Sequence, residues 1–427
     1  MKLKTEFLLP VLVCWPVSGL AGQWLLQPDF HYNQRYTDNL RMQIQPRRDN
    51  LITTISPALT MGYLAENQEL RGSFRWNELI YHGESELNLS EKISNLTHRY
   101  SGERFRTDIT LQHAIQSVIN QQLDIFSPIA VQVQIPRHTS SVAPQFTFNV
   151  TERDELSLGF NYTEVTFDRD QNLTNLQFSD FDNKSYSAGW VHALTERLSI
   201  NSRGEYSLFN SSSESSVQQF VQVLPGIFLP FQGVSSFSQA STTINFLIGA
   251  QYKFDELTQI SASGGLRNMT NQVQSEFVSP LGAQRTETSR TDTGRMLNLN
   301  LERKLEQGSF NLTADQQLNP ATAGFQQTTT RFSGGLRYNL HERWSASLSA
   351  SYQLSDARLI AAGQNQNFSQ SVYVFNPGVH WQWTPEINLD LSYRLMQQDF
   401  QFLNQTATSN DIQLQFSYQP QINRQVK

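Results

Sequence analysis

Apolar and polar residues alternate along most of the chain, in about eighteen successive stretches. The run from Trp344 to Leu354 is typical. Trp344, Ala346, Leu348, Ala350, Tyr352 and Leu354 fall on one side of an extended segment. Ser345, Ser347, Ser349, Ser351 and Gln353 fall on the other. Successive side chains of a strand point to opposite faces, so one face suits lipid and the other water. On 242–254, the same parity turns Ile244, Phe246, Ile248, Tyr252 and Phe254 to the apolar side. On 387–395 it turns Ile387, Leu389, Leu391, Tyr393 and Leu395 there.

Short charged turns join the runs in pairs. Thr151-Glu152-Arg153-Asp154, Thr195-Glu196-Arg197-Leu198, Phe254-Asp255-Glu256-Leu257, His341-Glu342-Arg343-Trp344 and Thr384-Pro385-Glu386-Ile387 follow one plan. Links this short make antiparallel hairpins. Between the hairpins lie longer links rich in Ser, Asn, Gln and Thr, near 40–50, 83–91, 118–139, 168–183, 210–238, 271–290, 319–326, 356–369 and 401–409. Alternating short turns and long loops, with an even strand count, predict an all-β fold: a transmembrane, antiparallel, up-and-down β-barrel of about eighteen strands, sixteen being the nearest alternative. The short turns belong in the periplasm and the long loops outside. Residues 92–117 read least clearly, because Arg99, Arg104, Arg106 and Asp108 interrupt the alternation. Aromatic residues near the turns, Tyr63, Phe105, Trp190, Phe254, Tyr338, Trp344, Trp383 and Tyr418, read as an interfacial girdle.

Composition supports this reading. Charged residues are 16% of the 427, against roughly 25% in soluble domains. Mean hydropathy is only -0.45, because the two faces of each strand average out. The net charge of -6 argues against nucleic acid, which asks for a basic stripe. Lys2 and Lys4, the apolar run Phe7–Leu20 and the small residues Ser18 to Gly22 read as a secretory signal peptide over 1–22. The barrel is then expected over 23–419 and a polar tail over 420–427. The single cysteine, Cys14, lies in that leader, so a mature chain would carry no thiol. Export and strand-borne hydrophobicity together point to a Gram-negative outer membrane.

The polar parity nominates the pore lining: Arg71 and Arg75, Arg106 with Asp108, Arg203 with Glu205, Arg267, Glu302, Arg337, and Asp390 with Arg394. A charge at the lipid midplane costs roughly 2–4 kcal/mol, which places these residues inside or at the rims. Two readings stand. Arginine-biased walls would favour anionic or sugar-like solutes, or the charges pair and brace the barrel. Two links carry unusual apolar surface: 118–139, with Leu123, Ile125, Phe126 and Ile129, and 210–238, with Phe220, Val221, Phe228, Leu229 and Phe231. They could fold into the pore, extend strands beyond the membrane and pack together, or form a partner site.

No catalytic residues are assigned. The eight histidines are scattered, and no H-E-x-x-H, calcium-loop, zinc or phosphate-loop motif appears. No cofactor is therefore expected. His138 beside Ser140 and Ser141 is the strongest candidate for chemistry.

Arg35-Tyr36-Thr37-Asp38-Asn39-Leu40, followed by Ile55-Ser56-Pro57-Ala58-Leu59, resembles the start of the outer-membrane β-barrel porins found with exopolysaccharide and PEP-CTERM gene clusters. Ala58 stands where that family carries glycine. The resemblance spans about 27–419. It implies a porin-like channel for small polar solutes or saccharides, with a part in exopolysaccharide export, and it supplies no functional residues. A loop-plugged barrel that anchors surface polysaccharide or partners is the alternative. The partners implied are outer-membrane lipid, the barrel-assembly machinery, and polysaccharide or polysaccharide-export proteins. The final strand, Ile412–Tyr418, resembles the C-terminal assembly signal of such barrels, although a polar tail follows it.

Overall fold

The computed structural model describes residues 22–118, 134–168, 178–224, 227–280, 282–320, 326–361, 364–401 and 404–420. Eighteen strands take up most of them. The first nine are β1 (Gln23–Thr37), β2 (Asn50–Leu64), β3 (Gln68–Tyr81), β4 (Leu89–Ser101), β5 (Phe105–Ser117), β6 (Pro136–Asn149), β7 (Asp154–Phe167), β8 (Asp180–Ala193) and β9 (Leu198–Leu224). The second nine are β10 (Ile227–Lys253), β11 (Thr258–Ser279), β12 (Gly282–Leu305), β13 (Gly308–Pro320), β14 (Gln326–His341), β15 (Trp344–Ala361), β16 (Gln364–Gln382), β17 (Ile387–Phe400) and β18 (Gln405–Tyr418). Each is antiparallel to its sequence neighbours. The sheet closes where β18 returns to β1, from Phe30–Tyr418 to Thr37–Asp411, while the other side of β1 pairs with β2 along its whole length. The fold is a closed, antiparallel, eighteen-stranded β-barrel.

Alternation sets the two faces of the wall. Leu266 is 70% exposed, Leu158 61% and Ile248 60%, all within strands. Such exposure is consistent only with an apolar surround, and their ladder partners on the outer face are apolar or small, Arg295 opposite Leu266 excepted. Across the wall, partner rows climb from one strand to the next. Ser94, His113, Ser140, Glu164, Asp182 and Asn210 form one row, from β4 to β9. It moves away from the short-turn end as it goes, the stagger that closing a tilted sheet requires.

One chemical device makes the short turns. Thr151 Oγ accepts from the backbone N–H of Arg153 at 3.1 Å and of Asp154 at 3.0 Å. Thr195 holds Leu198 N–H at 3.0 Å, and Thr384 holds Ile387 N–H at 3.0 Å. Asp255 does the same for Leu257 and Thr258, at 2.8 and 2.5 Å. A side-chain oxygen two or three residues ahead of the next strand satisfies the N–H groups left free where the ladder ends.

Several expectations change. The links 210–238, 271–290 and 356–369 are not loops. The hairpins β9–β10, β11–β12 and β15–β16 continue through them almost to their tips. Alternation fades there because a strand beyond the lipid meets water on both faces, so pairing persists after the pattern ends. Of the link 118–139, residues 119–133 lie outside the described residues, as do residues 1–21 and 421–427 and the side chains from Phe220 to Phe231. Residues 92–117 form the regular hairpin β4–β5. Tyr63 is on the girdle side but only 8% exposed, because Trp24 packs on it with ring centroids 5.0 Å apart.

Two outcomes follow. Ile248→Arg should destabilise the folded barrel by about 2–4 kcal/mol in urea unfolding from lipid, whereas Asn95→Arg, facing inward, should change it by less than about 1 kcal/mol. Equal effects would mean that the faces are assigned wrongly. The second concerns Asp255, whose carboxyl is held below the usual carboxylate range by the Leu257 backbone N–H and by Thr258. A depressed carboxyl stabilises the fold above the ordinary carboxylate range and loses that contribution as pH falls through its own lower value. Asp255→Asn should therefore be less stable than wild type at neutral pH. The gap should close in strong acid, as read from unfolding midpoints across pH.

Candidate functional site

The ladders turn all eleven nominated residues to the inner face, where their polar neighbours line the lumen. Arg71 and Arg75 lie on β3, opposite Gly62 and Ala58 of β2. Arg106 and Asp108 lie on β5, opposite Ser101 and Arg99. Arg203 and Glu205 are on β9, Arg267 is on β11 and Glu302 on β12. Arg337 of β14 stands between Ser309 and Ser347, and Asp390 and Arg394 are on β17.

The charges are mostly paired, along the wall rather than across the lumen. Asp108 takes Arg99 at 2.7 Å and Arg106 at 3.3 Å. Arg75 faces Asp29 at 3.7 Å, Arg71 faces Glu69 at 3.8 Å, and Arg203 faces Glu205 at 3.7 Å. Glu302 accepts from Asn300 at 2.9 Å. Asp390 and Arg394 part company: Asp390 bonds His380 at 2.6 Å, and Arg394 Nε donates to Asp411 at 2.8 Å. Arg337 reaches only Ser345, at 3.5 Å. These pairs mute the arginine bias that the strand composition suggests. Asp29, Arg99, His380 and Asp411 went unnominated because register, which sequence leaves open, decides which strand lies beside which.

The long-link end of the lumen differs in kind. Residues 38–49, between β1 and β2, fold against the inner wall. Asp38 holds the backbone N–H and the side-chain amide of Asn410, both at 2.7 Å. Asn39 donates to the carbonyls of Gln43 and Thr408 at 2.7 and 2.9 Å. Met42, in the left-handed region at φ 50°, packs on Phe400 and Ala407 with Ile44 and Met396 beside it. On the far side, Leu40 joins an apolar cluster with Ile52, Leu79, Tyr81, Leu87, Val165, Phe167, Phe181 and Phe209. The strand members carry inward parity, so this cluster sits inside the barrel. Arg41 is ion-paired with Glu84 of the β3–β4 link, both side chains 7% exposed. Val118 and Ile135, which flank the undescribed part of the 118–139 link, belong to the same cluster.

The serine–histidine candidate lies elsewhere. Ser140 faces outward and Ser141 inward. Ser140 Oγ is hydrogen-bonded to His113 Nδ1 at 3.0 Å, while His138 Nε2 meets Asp168 at 2.9 Å. The strand carrying Ser140 is paired on both sides, to β5 and β7. Its N–H groups are thus used in the ladders, and no pair of free donors stands ready for an oxyanion. Among the described residues, no three His, Cys, Asp or Glu side chains converge in a way that could hold a metal.

No family model matches the chain, and no curated protein matches it in sequence. Solved barrels are similar in shape. The ferric yersiniabactin uptake receptor FyuA of Yersinia pestis is 10% identical, with a TM-score of 0.49 over 87% of this chain and 61% of that one. This chain thus spans less than two thirds of that receptor. OccK2 (OpdF) of Pseudomonas aeruginosa, solved with glucuronate, is 8% identical, with a TM-score of 0.43 over 92% and 98%. OccAB2 of Acinetobacter baumannii is 11% identical, with a TM-score of 0.43 over the same shares. Likeness at this level assigns no substrate.

Removing one partner of a buried ion pair costs about 3–5 kcal/mol. Arg41→Met should therefore loosen the 38–49 link and let trypsin cleave at the already exposed Arg47 and Arg48 in the folded barrel. Arg41→Met combined with Glu84→Met should restore resistance, because no buried charge is left unpaired. Unchanged resistance in the single variant would show that the ion pair does not hold the link.

Proposed function

We propose that the chain is an outer-membrane channel for small polar solutes, saccharides among them. One observation carries this reading: a continuous polar inner face, rich in Ser, Thr, Asn, Gln and paired charges, inside an apolar outer wall. In water the outer wall would have no purpose, and in lipid the inner face would have none unless it bordered water. The expected leader and the barrel together support a Gram-negative outer-membrane location, with the short turns in the periplasm. Because most charges are paired locally, selectivity by charge is weak, and the amide and hydroxyl lining suits neutral or hydroxylated solutes. A role in exopolysaccharide export rests on the opening-strand resemblance alone.

A second reading is favoured by a specific observation. The inward-folded 38–49 link, its buried Arg41–Glu84 pair and the apolar cluster around Phe181 and Phe209 narrow the outer mouth. A barrel closed there would serve as an anchor for surface polymer or partners.

Planar-bilayer recording separates the two. The refolded chain without residues 1–22 should give steady single-channel steps, with a reversal potential close to zero in a KCl gradient. Arg41→Met should raise the conductance. A barrel that shows the heat-dependent gel shift of a folded state yet stays silent, in wild type and variant alike, would overturn the channel reading in favour of the anchor.

A further inference from the structure

One seam of the wall is incomplete. β12 runs from Gly282 to Leu305, but β13 pairs with it only from Leu305–Gly308 to Leu297–Gln316. Beyond that point β13 and β14 stay paired with each other, to Pro320–Gln326. Among the described residues no strand takes the free edge of β12 there. The strands part just above Leu297 and Leu299, both exposed on the outer face.

One hydrogen bond shows where the parted ends go. Arg267 Nη2 of β11 donates to Thr328 Oγ of β14 at 3.1 Å. β12 and β13 stand between those strands in the sheet, and three strand spacings are about 14 Å, too far for this contact along a regular wall. Parity gives the direction. Arg267 is on the inner face of β11, opposite Asn245. Thr328 has the outward parity of Phe332 and Leu336, the exposed residues further along β14. An outward residue of β14 thus meets an inward residue of β11. The ends of β13 and β14, Gln317–Pro320 and Gln326–Thr329, are therefore tucked inside the wall. Gly294 of β12, the ladder partner of Arg267, leaves room for this overlap, since a Cβ there would stand 2.6 Å from Nη2.

The tucked position is incompletely satisfied. Arg267 Nε and Nη1, Gln327 Oε1 and Thr329 Oγ are buried without partners, and each such group costs free energy. A second position suits the same residues. Extending the β12–β13 register by three residues pairs Met296 with Gln317, Arg295 with Leu318 and Gly294 with Asn319. Parity agrees at each pair: Gln317 and Asn319 keep to the inner face, and Leu318 turns to the lipid side beside Leu297.

We propose that the paired ends of β13 and β14 are a gate with two positions. In one they are tucked into the lumen and held by the Arg267–Thr328 bond. In the other they zip onto β12, complete the wall and leave the lumen wider. Each position has contacts that the other lacks, which is what a switch requires. The inference rests on the lumen being a path for solutes, as proposed above.

Cys14 lies in the expected leader and is the only cysteine, so two introduced pairs can report the two positions. Arg295→Cys with Leu318→Cys become ladder partners only in the zipped position, within reach of a disulfide. Gly294→Cys with Thr328→Cys flank the Arg267 guanidinium in the tucked position, within reach of a short bis-maleimide. Each double variant is refolded in reducing buffer without residues 1–22, checked by its heat-dependent gel shift, cross-linked and recorded in a planar bilayer. Met296→Cys with Gln317→Cys replaces the first pair if that variant does not fold. Both cross-links should form in the folded barrel. The disulfide should raise the single-channel conductance above that of the same variant reduced, and the maleimide bridge should lower or abolish it. Arg267→Met added to the first pair should speed disulfide formation, because the tucked position loses its hold. A folded barrel in which the disulfide never forms would overturn the gate. So would cross-links that leave the conductance of a conducting barrel unchanged. Both cross-links in a barrel that never conducts would keep the two positions and sink the channel reading instead.

Discussion

A strand in contact with lipid has no water to satisfy its backbone, so every N–H and C=O at that level must find a partner strand. The rest of the molecule follows from this constraint. It requires β18 to return to β1, which pairs it from Phe30–Tyr418 to Thr37–Asp411. It also requires hairpins with tight ends, and the threonine and aspartate turns at Thr151, Thr195, Asp255 and Thr384 meet that need with one chemical device. Once the ring is closed, each strand must present its apolar parity outward, and the polar parity has nowhere to go but in.

The inner face then divides by height. Along most of the wall, charges settle with neighbours on the same or the next strand, as Asp108 does with Arg99 and Arg106. Such pairs cost little and leave the inner face nearly balanced in charge. Toward the long-link end, inward positions turn apolar, with Ile52, Leu79, Val165 and Phe209, and they bury the links that fold over them. That end resembles the core of a soluble protein set inside a pore. A polar inner face and an apolar end therefore share one wall.

Legibility from sequence was uneven, for physical reasons. Alternation is strongest where one face meets lipid and the other water, so Ile244–Phe254 and Ile387–Leu395 were readable. It fails where both faces meet water, which is why the outer parts of β9–β12 and of β15–β16 looked like loops although they pair in register. Parity sufficed to say that Asp390 and Arg394 share a face. It could not say that their partners would be His380 and Asp411, from different strands. Arg267 looked like one lumenal arginine among several. It is only 5% exposed and donates to Thr328 of β14, a strand that is not its ladder neighbour, and no local pattern announces that contact.

By itself, the sequence determined the fold class, a strand count of about eighteen with sixteen still open, and the face that each strand residue takes, because a two-residue period and the cost of misplacing a charge in lipid are local properties. The tertiary structure decided register, ion-pair partners, the inward fold of residues 38–49 and the burial of Arg267. Those depend on which residues distant in the chain arrive side by side, and that is settled only when the stagger of a closed barrel and the packing at its mouth are satisfied together.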